Sequence, residues 1–310
     1  MKVVIVGEFS EASKKSIEGE FPSSWEIAIV DRREIKGELK HAQVIIPEHI
    51  QIDGPLLDGA RHLKLVQTGA GFDNVDIDAC AQRGVYVANA AGVNAAAVAE
   101  HVFAFILCWY KNLTYLDRRL RQGEYDVNYT GAELANKVIG IIGLGNIGLY
   151  VGRLAKAFGM RTLGYDIRPG ETSTDIERTD LATLCKQSDI ITLHVFLNDQ
   201  TRHMISSDQL AIMKQNVFLI NTARGPIIDE EALIEALKEK RIGGAGIDVF
   251  ENEPLPPDSS LRKLDTVILT PHTAGMPDGL KFHKKRYEFF VDNIQRVLIG
   301  KKPHNALNQI

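Results

Sequence analysis

Short apolar runs rich in β-branched residues alternate along the chain with stretches of helical period. The runs Lys2–Val6, Trp25–Val30, Gln43–Pro47, Leu63–Thr68 and Val85–Ala88 come first. They are followed by Val138–Ile142, Arg161–Tyr165, Ile190–His194, Val217–Asn221, Gly244–Asp248 and Val267–Leu269. Many are continuously apolar, the pattern of parallel strands covered on both faces. Apolar positions at helical spacing predict helices over Glu11–Glu18, Ile77–Arg83, Ile147–Phe158, Ser206–Met213 and Asp229–Glu239. Such alternation predicts an α/β fold of doubly wound parallel sheets. The strands are too numerous for one ordinary sheet, so the pattern predicts two sheets in two domains.

The segment Asn94–Arg121 is alanine-rich, with an apolar centre and a basic end. It reads as an amphipathic connecting helix, and Phe103, Phe105, Trp109 and Tyr110 add the reading of a subunit interface. Gln122–Glu133 is polar and rich in turn formers, and leads into the second domain. Helical period returns over Asp278–Gly300; packed back on the first domain, this helix makes that domain discontinuous. The expected division is 1–98 with 279–310 as a substrate domain, and 99–278 as a nucleotide domain.

A length of 310 residues agrees with two domains. Lys plus Arg is 36 against 40 Asp plus Glu, a net charge of −4, so no field concentrates phosphate backbones or anionic lipid. Nucleic-acid and membrane-surface binding are therefore disfavoured as main tasks. The three cysteines are scattered and form no CxxC, which fits a reducing compartment and argues against a disulfide framework or a structural metal site. The longest apolar run, Val102–Tyr110, is about half the ~20 residues a membrane span requires. The opening residues read as a buried strand, not a leader. A cytoplasmic protein is expected.

Candidate chemistry enters at Gly143-Leu144-Gly145-Asn146-Ile147-Gly148. A strand precedes this GxGxxG, a helix follows, and a second strand ends at the acid Asp166, the context a dinucleotide site requires. Gly143 permits a tight turn, Gly145 lets backbone approach a pyrophosphate, and Gly148 lets helix and strand pack closely. The helix N-terminus then offers N–H groups to the phosphates. Asp166 suits the adenosine ribose hydroxyls, and its charge favours NAD over NADP, with Arg168 close by to moderate that preference. A second glycine pair, Gly69-Ala70-Gly71, also follows a strand but lacks the third glycine; it reads as a plain turn or as a loop binding a small anion.

In open α/β sheets, ligands sit outside the carboxyl ends of the strands. The later strands end in Thr222-Ala223-Arg224, in Asp248 with Glu253 shortly after, and in Thr270-Pro271-His272. An Arg, a carboxylate and a His beside a dinucleotide suggest carbonyl–alcohol redox chemistry. Arg224 offers a permanently charged fork for a carboxylate. His272 can give a proton to a carbonyl oxygen, and Glu253 beside the imidazole would favour its protonated form.

These motifs in this order resemble the D-isomer-specific 2-hydroxyacid dehydrogenase family, over nearly the whole chain. The resemblance is carried by Gly69-Ala-Gly-Phe-Asp-Asn-Val-Asp76, Val98-Ala-Glu100, the Gly143–Gly148 loop with Asp166, and Ser188-Asp-Ile-Ile-Thr-Leu-His194. It continues in Asn221-Thr-Ala-Arg-Gly225, Gly246-Ile-Asp-Val-Phe250 with Glu253-Pro254, and Thr270-Pro-His272. It implies two Rossmann-like domains with NAD and the active site in the cleft between them. It implies that Arg224 holds the carboxylate of a small 2-oxoacid, helped by the amides of Ala70 and Gly71. His272 would move the proton, and Glu253 would orient it. Val98, Gly143, Gly145, Asn146, Ile147, Gly148, Asp166, His194, Thr222, Ala223, Asp248, His272, Ala274 and Gly275 would line the dinucleotide, and the long helical segment would form a homodimer. After His194 this chain has Val195-Phe196-Leu197-Asn198, where many members have Pro-Leu-Thr.

Glyoxylate or hydroxypyruvate suits a pocket without a side-chain reader. 3-Phosphoglycerate would need a basic phosphate site, with Arg61, Lys64 or Arg83 as candidates, and the short stretch after the last predicted helix leaves no room for a regulatory domain. The alternative class is an NAD(H)-sensing interaction protein of the corepressor kind on the same scaffold.

Overall fold

The computed structural model describes the chain except residues 49, 126, 127, 129, 130, 169–174 and 277–283. It divides into two compact units, Met1–Asn94 with Met276–Ile310, and Ala95–Gly275. The first unit holds β1 (Lys2–Val6), β2 (Glu26–Val30), β3 (Val44–Pro47), β4 (Leu65–Thr68) and β5 (Tyr86–Asn89). All pair in parallel in the order β2-β1-β3-β4-β5. The second holds β6 (Val138–Ile142), β7 (Arg161–Tyr165), β8 (Glu177–Arg178), β9 (Ile190–Leu193), β10 (Phe218–Asn221), β11 (Gly244–Ile247) and β12 (Val267–Leu269). These too are all parallel, in the order β12-β11-β10-β9-β6-β7-β8. Both are doubly wound, as the alternating pattern predicts.

The strands read as unbroken apolar runs because each sheet is covered on both faces. Along β1, Val4 and Val6 point to one buried cluster, and Val3 and Ile5 to the other, which also takes Tyr287, Phe290 and Ile294 from the helix Lys284–Leu298. In the second unit Ile142, Leu193 and Leu219 face one cluster, and Ile139, Ile141, Phe218 and Ile220 the other. Period two on each strand thus serves two cores at once. Of the helix expected over Asp278–Gly300, residues 278–283, Phe282 among them, lie outside the described residues.

Two details differ from the pattern read in the sequence. The segment Asn94–Arg121 forms two helices, Ala95–Tyr110 and Leu113–Arg121, because Asn112 takes a left-handed conformation with φ 52° and breaks the ladder. Its aromatic side chains are also accounted for within their own unit. Phe103 stacks on Phe158, Trp109 stacks on Phe218, and the buried Phe105 packs where a Cβ on Gly246 would stand. Phe103 and Phe105 are core, while Trp109 and Tyr110 are half-buried against it. The two-residue strand β8 was too short to leave a period. Among the described residues, no helix is long and apolar enough to cross a membrane.

Candidate active site

β6 runs into Gly143, whose φ of 97° lies in the left-handed region. A Cβ there would stand 2.6 Å from the carbonyl oxygen of His194, so only glycine fits. Gly148 is tighter still, since its Cβ would lie 2.0 Å from the Gly143 oxygen, and it lets the helix Asn146–Ala157 seat on β6. Gly145 differs. It caps that helix without a side chain, and its Cβ would meet nothing nearer than Arg168 Nη2 at 3.9 Å. Its open face, above the first-turn residues Asn146 and Ile147, is where backbone can approach a phosphate. Asp166 follows β7 and accepts from the Leu144 N–H at 2.8 Å. Hydrogen bonds from the Arg168 guanidinium hold its carboxyl at about 2, below the ordinary carboxylate range.

The same edge carries polar atoms with nothing to bind. His194 closes β9; its Nε2 pairs with Thr192 Oγ1 at 3.0 Å, while its enclosed Nδ1 has no partner among the described residues. Burial pushes its imidazole down to about 3, so the ring is neutral at physiological pH. Thr222 Oγ1, at the end of β10, is likewise buried and unpartnered. Buried polar groups normally find partners, so two orphans beside an open glycine turn mark a place for a bound polar molecule. This fits a dinucleotide. Val98 is buried in the helix Ala95–Tyr110. The loop after His194 folds on itself, with Asn198 Oδ1 accepting from the Gln200 and Thr201 N–H groups.

The chemistry-bearing side chains stand on the next three strand ends. Asn221 pins the turn carrying Arg224: its Nδ2 donates to the Arg224 carbonyl at 2.8 Å and its Oδ1 accepts from the Ala223 N–H at 3.0 Å. Arg224 Nη1 donates to the Ala223 carbonyl at 2.7 Å. Gly225 then meets the loop after β11 so closely that a Cβ would lie 2.0 Å from the Phe250 carbonyl. In that loop Glu253 Oε1 accepts from the Phe250 N–H at 3.0 Å, and Oε2 faces His272 Nδ1 at 2.7 Å. With one oxygen tied to backbone, the carboxylate is fixed, and it fixes the ring. His272 itself takes φ 53° and donates its N–H to the Asp248 carbonyl at 2.7 Å.

Asp248 is buried, at 1% exposure, and its carboxylate organises the turn behind His272. It accepts from Thr270 Oγ1 at 2.6 Å and from the N–H groups of Thr273 and Ala274 at 2.8 and 3.0 Å, just ahead of Gly275. Because the Thr270 hydroxyl donates to Asp248, it accepts from His101 Nε2 at 3.0 Å. Sequence reasoning missed His101, and it named Asn221 and Thr270 only as parts of motifs, without these roles. They act through other residues, and His101 directly follows the Val98-Ala-Glu100 motif.

Ala70 and Gly71 belong to the first unit. The Gly69 carbonyl accepts from the Ala90 N–H at 2.9 Å and from Thr68 Oγ1, and the Ala70 carbonyl from Asn89 Nδ2 at 3.0 Å. With carbonyls turned inward and bound, the Ala70 and Gly71 N–H groups donate to nothing among the described residues, as an anion loop requires. Arg83 pairs with Asp58 at 2.6 Å and caps the Ala79 carbonyl, so it is engaged elsewhere, while Arg61 and Lys64 are exposed.

Residues 103–274 match the family model of the D-isomer specific 2-hydroxyacid dehydrogenase NAD binding domain. The chain belongs to this family. It is an NAD-dependent D-2-hydroxyacid dehydrogenase. A glyoxylate reductase of Thermofilum pendens is 40% identical over 269 residues, covering 84% of this chain and 79% of that one. A D-3-phosphoglycerate dehydrogenase of Methanocaldococcus jannaschii is 39% identical over 89% of this chain but only 54% of its own length. Among solved structures, D-lactate dehydrogenase from Aquifex aeolicus with NAD and lactic acid superposes with TM-score 0.86 at 30% identity, over 99% of both chains. The dehydrogenase thus shares the likeness of enzymes acting on several small hydroxyacids.

Proposed function

We propose that the dehydrogenase reduces a small 2-oxoacid, glyoxylate or hydroxypyruvate, with His272 as acid–base and Arg224 as carboxylate clamp. The observation that carries this is the 2.7 Å contact of Glu253 Oε2 with His272 Nδ1, beside an Arg-bearing turn docked on the same loop. Bound NADH supplies a hydride to C2. Glu253 holds Nδ1, so Nε2 is the atom that gives its proton to the carbonyl oxygen, and takes it back in oxidation. Arg224 binds the carboxylate and so fixes which face of C2 is presented. Ala70 and Gly71 keep the carboxylate-binding role that the resemblance implies. Small substrates are favoured over 3-phosphoglycerate because Arg83, one of three candidate phosphate ligands, is committed to Asp58. We also infer a homodimer, and a cytoplasmic location.

The test is a panel of glyoxylate, hydroxypyruvate, pyruvate and 3-phosphohydroxypyruvate followed by NADH absorbance. Glyoxylate or hydroxypyruvate should give the highest kcat/KM, and Arg224→Ala should lower it about 10³-fold, mostly through KM. Dinucleotide binding with no turnover on any oxoacid would point instead to a sensing protein.

A further inference from the structure

Behind the turn that carries His272 runs a second series of hydrogen bonds, and it begins on a different element. The helix Ala95–Tyr110 approaches β11 closely because Gly246 has no side chain: a Cβ there would stand 2.8 Å from Cγ of Phe105. His101 lies one turn earlier on the same helix face, its ring at right angles to that of Phe105 with centroids 4.8 Å apart. From there Nε2 meets Oγ1 of Thr270, the residue that follows β12, at 3.0 Å. A threonine hydroxyl has one proton to give. Thr270 gives it to Asp248 Oδ1 at 2.6 Å, so toward His101 it accepts, and the imidazole carries its proton on Nε2.

Among the described residues no Lys or Arg pairs with the buried Asp248; the basic nitrogen facing it is His101 Nε2, 3.9 Å from Oδ1. How firmly this carboxylate is held therefore depends on how firmly Thr270 is aimed at it. The turn beyond needs holding. His272 sits at φ 53°, in the left-handed region that residues other than glycine occupy only under constraint. Glu253 fixes its ring from one side. From the other, the Asp248 carbonyl accepts from the His272 N–H at 2.7 Å, and its carboxylate from the Thr273 and Ala274 N–H groups at 2.8 and 3.0 Å. The series His101–Thr270–Asp248 thus ends on the backbone of His272 and the two residues after it.

We propose that His101 is a positioning residue for the reaction: through Thr270 it locks Asp248 against the 272–274 turn, and so fixes where His272 presents its proton. The proposal rests on the acid–base role of His272. Reduction of glyoxylate and of hydroxypyruvate is followed by NADH oxidation in variants that separate the hydrogen bond from the packing. His101→Phe keeps a ring against Phe105 but has no donor. His101→Gln loses the ring and can place an amide N–H near where Nε2 stood. His101→Phe should lower kcat about tenfold, with KM for oxoacid and NADH within about threefold, since a misplaced proton donor slows the step and leaves binding intact. His101→Gln should keep kcat within about threefold of wild type. Thr270→Val removes the hydroxyl at nearly constant volume and should match His101→Phe, and the double variant should be no slower than either, because both break one series. A packing role predicts the reverse order, with Gln the damaging substitution; that order, or losses that multiply in the double variant, overturns the proposal. An unchanged kcat in His101→Phe does so too, and if that variant does not fold, an unchanged kcat in Thr270→Val decides equally. A wild type that turns over neither oxoacid overturns the acid–base reading itself, and this proposal with it.

Discussion

Both sheets reverse their winding once, between β1 and β3 in the first unit and between β6 and β9 in the second. A reversal of this kind opens a crevice at the strands' carboxyl ends. The two crevices are furnished in opposite ways. In the first, β1 leads to Gly7 and β3 to Glu48, and a Cβ on Gly7 would stand 2.9 Å from that of Glu48 and 2.8 Å from the Phe9 ring. Arg286, from the C-terminal helix, pairs with Glu48 at 2.7 Å and lies over the rings of Tyr287 and Phe290. Burial opposes its charge, and Glu48 and Tyr287 together more than restore it. In the second crevice Gly143 abuts His194, and the buried atoms there, His194 Nδ1 and Thr222 Oγ1, have no partner among the described residues. The buried atoms of the first that lack a hydrogen bond, Glu48 Oε1 and Arg286 Nε, belong instead to side chains paired with each other. One reversal point is closed by protein charge and the other is furnished for a guest. Topology supplies the crevice; side chains decide whether it holds a ligand.

Breaking the closed pair should have the largest effect. Glu48 and Arg286 are each 16% exposed, so Glu48→Ala strands a buried cation and should cost about 3–5 kcal/mol in urea unfolding. NADH affinity should stay within about twofold, since the pair belongs to the first unit and the Gly143–Gly148 loop to the second. A stable Glu48→Ala variant that no longer binds NADH would dissolve the contrast.

The open crevice is tested next by Gly145→Val. The residue has φ −83° and open space before it, so the fold tolerates a side chain there. A pyrophosphate does not, and NADH binding should weaken about 100-fold with little change in melting temperature. Equal binding by the variant would place the phosphates elsewhere.

How much of this contrast the sequence disclosed follows from how local each cause is. The glycine loop was legible because each of its three glycines answers a constraint within a few residues. Arg224, Glu253 and His272 were legible as residue types at strand ends, though not as a fixed geometry. That geometry depends on Asn221 gripping its own turn and on Glu253 sharing itself between Phe250 and His272. The Glu48–Arg286 closure was invisible, because it joins residues far apart in the chain. The Asp166–Arg168 pair was visible as a spacing, but the Leu144 amide that joins it was not. The packing of Trp109 and Phe105 was hidden for the same reason: a helix cannot announce which sheet covers its aromatic face.

The smallest effect bears most directly on the unpartnered atoms of the second crevice, and it is a pH effect. Burial holds the His194 imidazole at about 3, against an ordinary 6.5. In the unfolded chain the ring takes a proton as pH falls through 6.5, while the folded ring stays neutral down to about 3. The unfolded state therefore binds more protons in that window, and stability falls with pH across it. Between pH 6.5 and 5.5 the loss due to this one group is about 1 kcal/mol. His194→Gln keeps a polar side chain without the titration, so its urea-unfolding free energy should fall by about 1 kcal/mol less than wild type's over that pH unit. Titrations common to both proteins cancel in the difference. Parallel pH curves would mean that water already reaches Nδ1, and the unpartnered atoms would then be solvated instead of reserved for a cofactor.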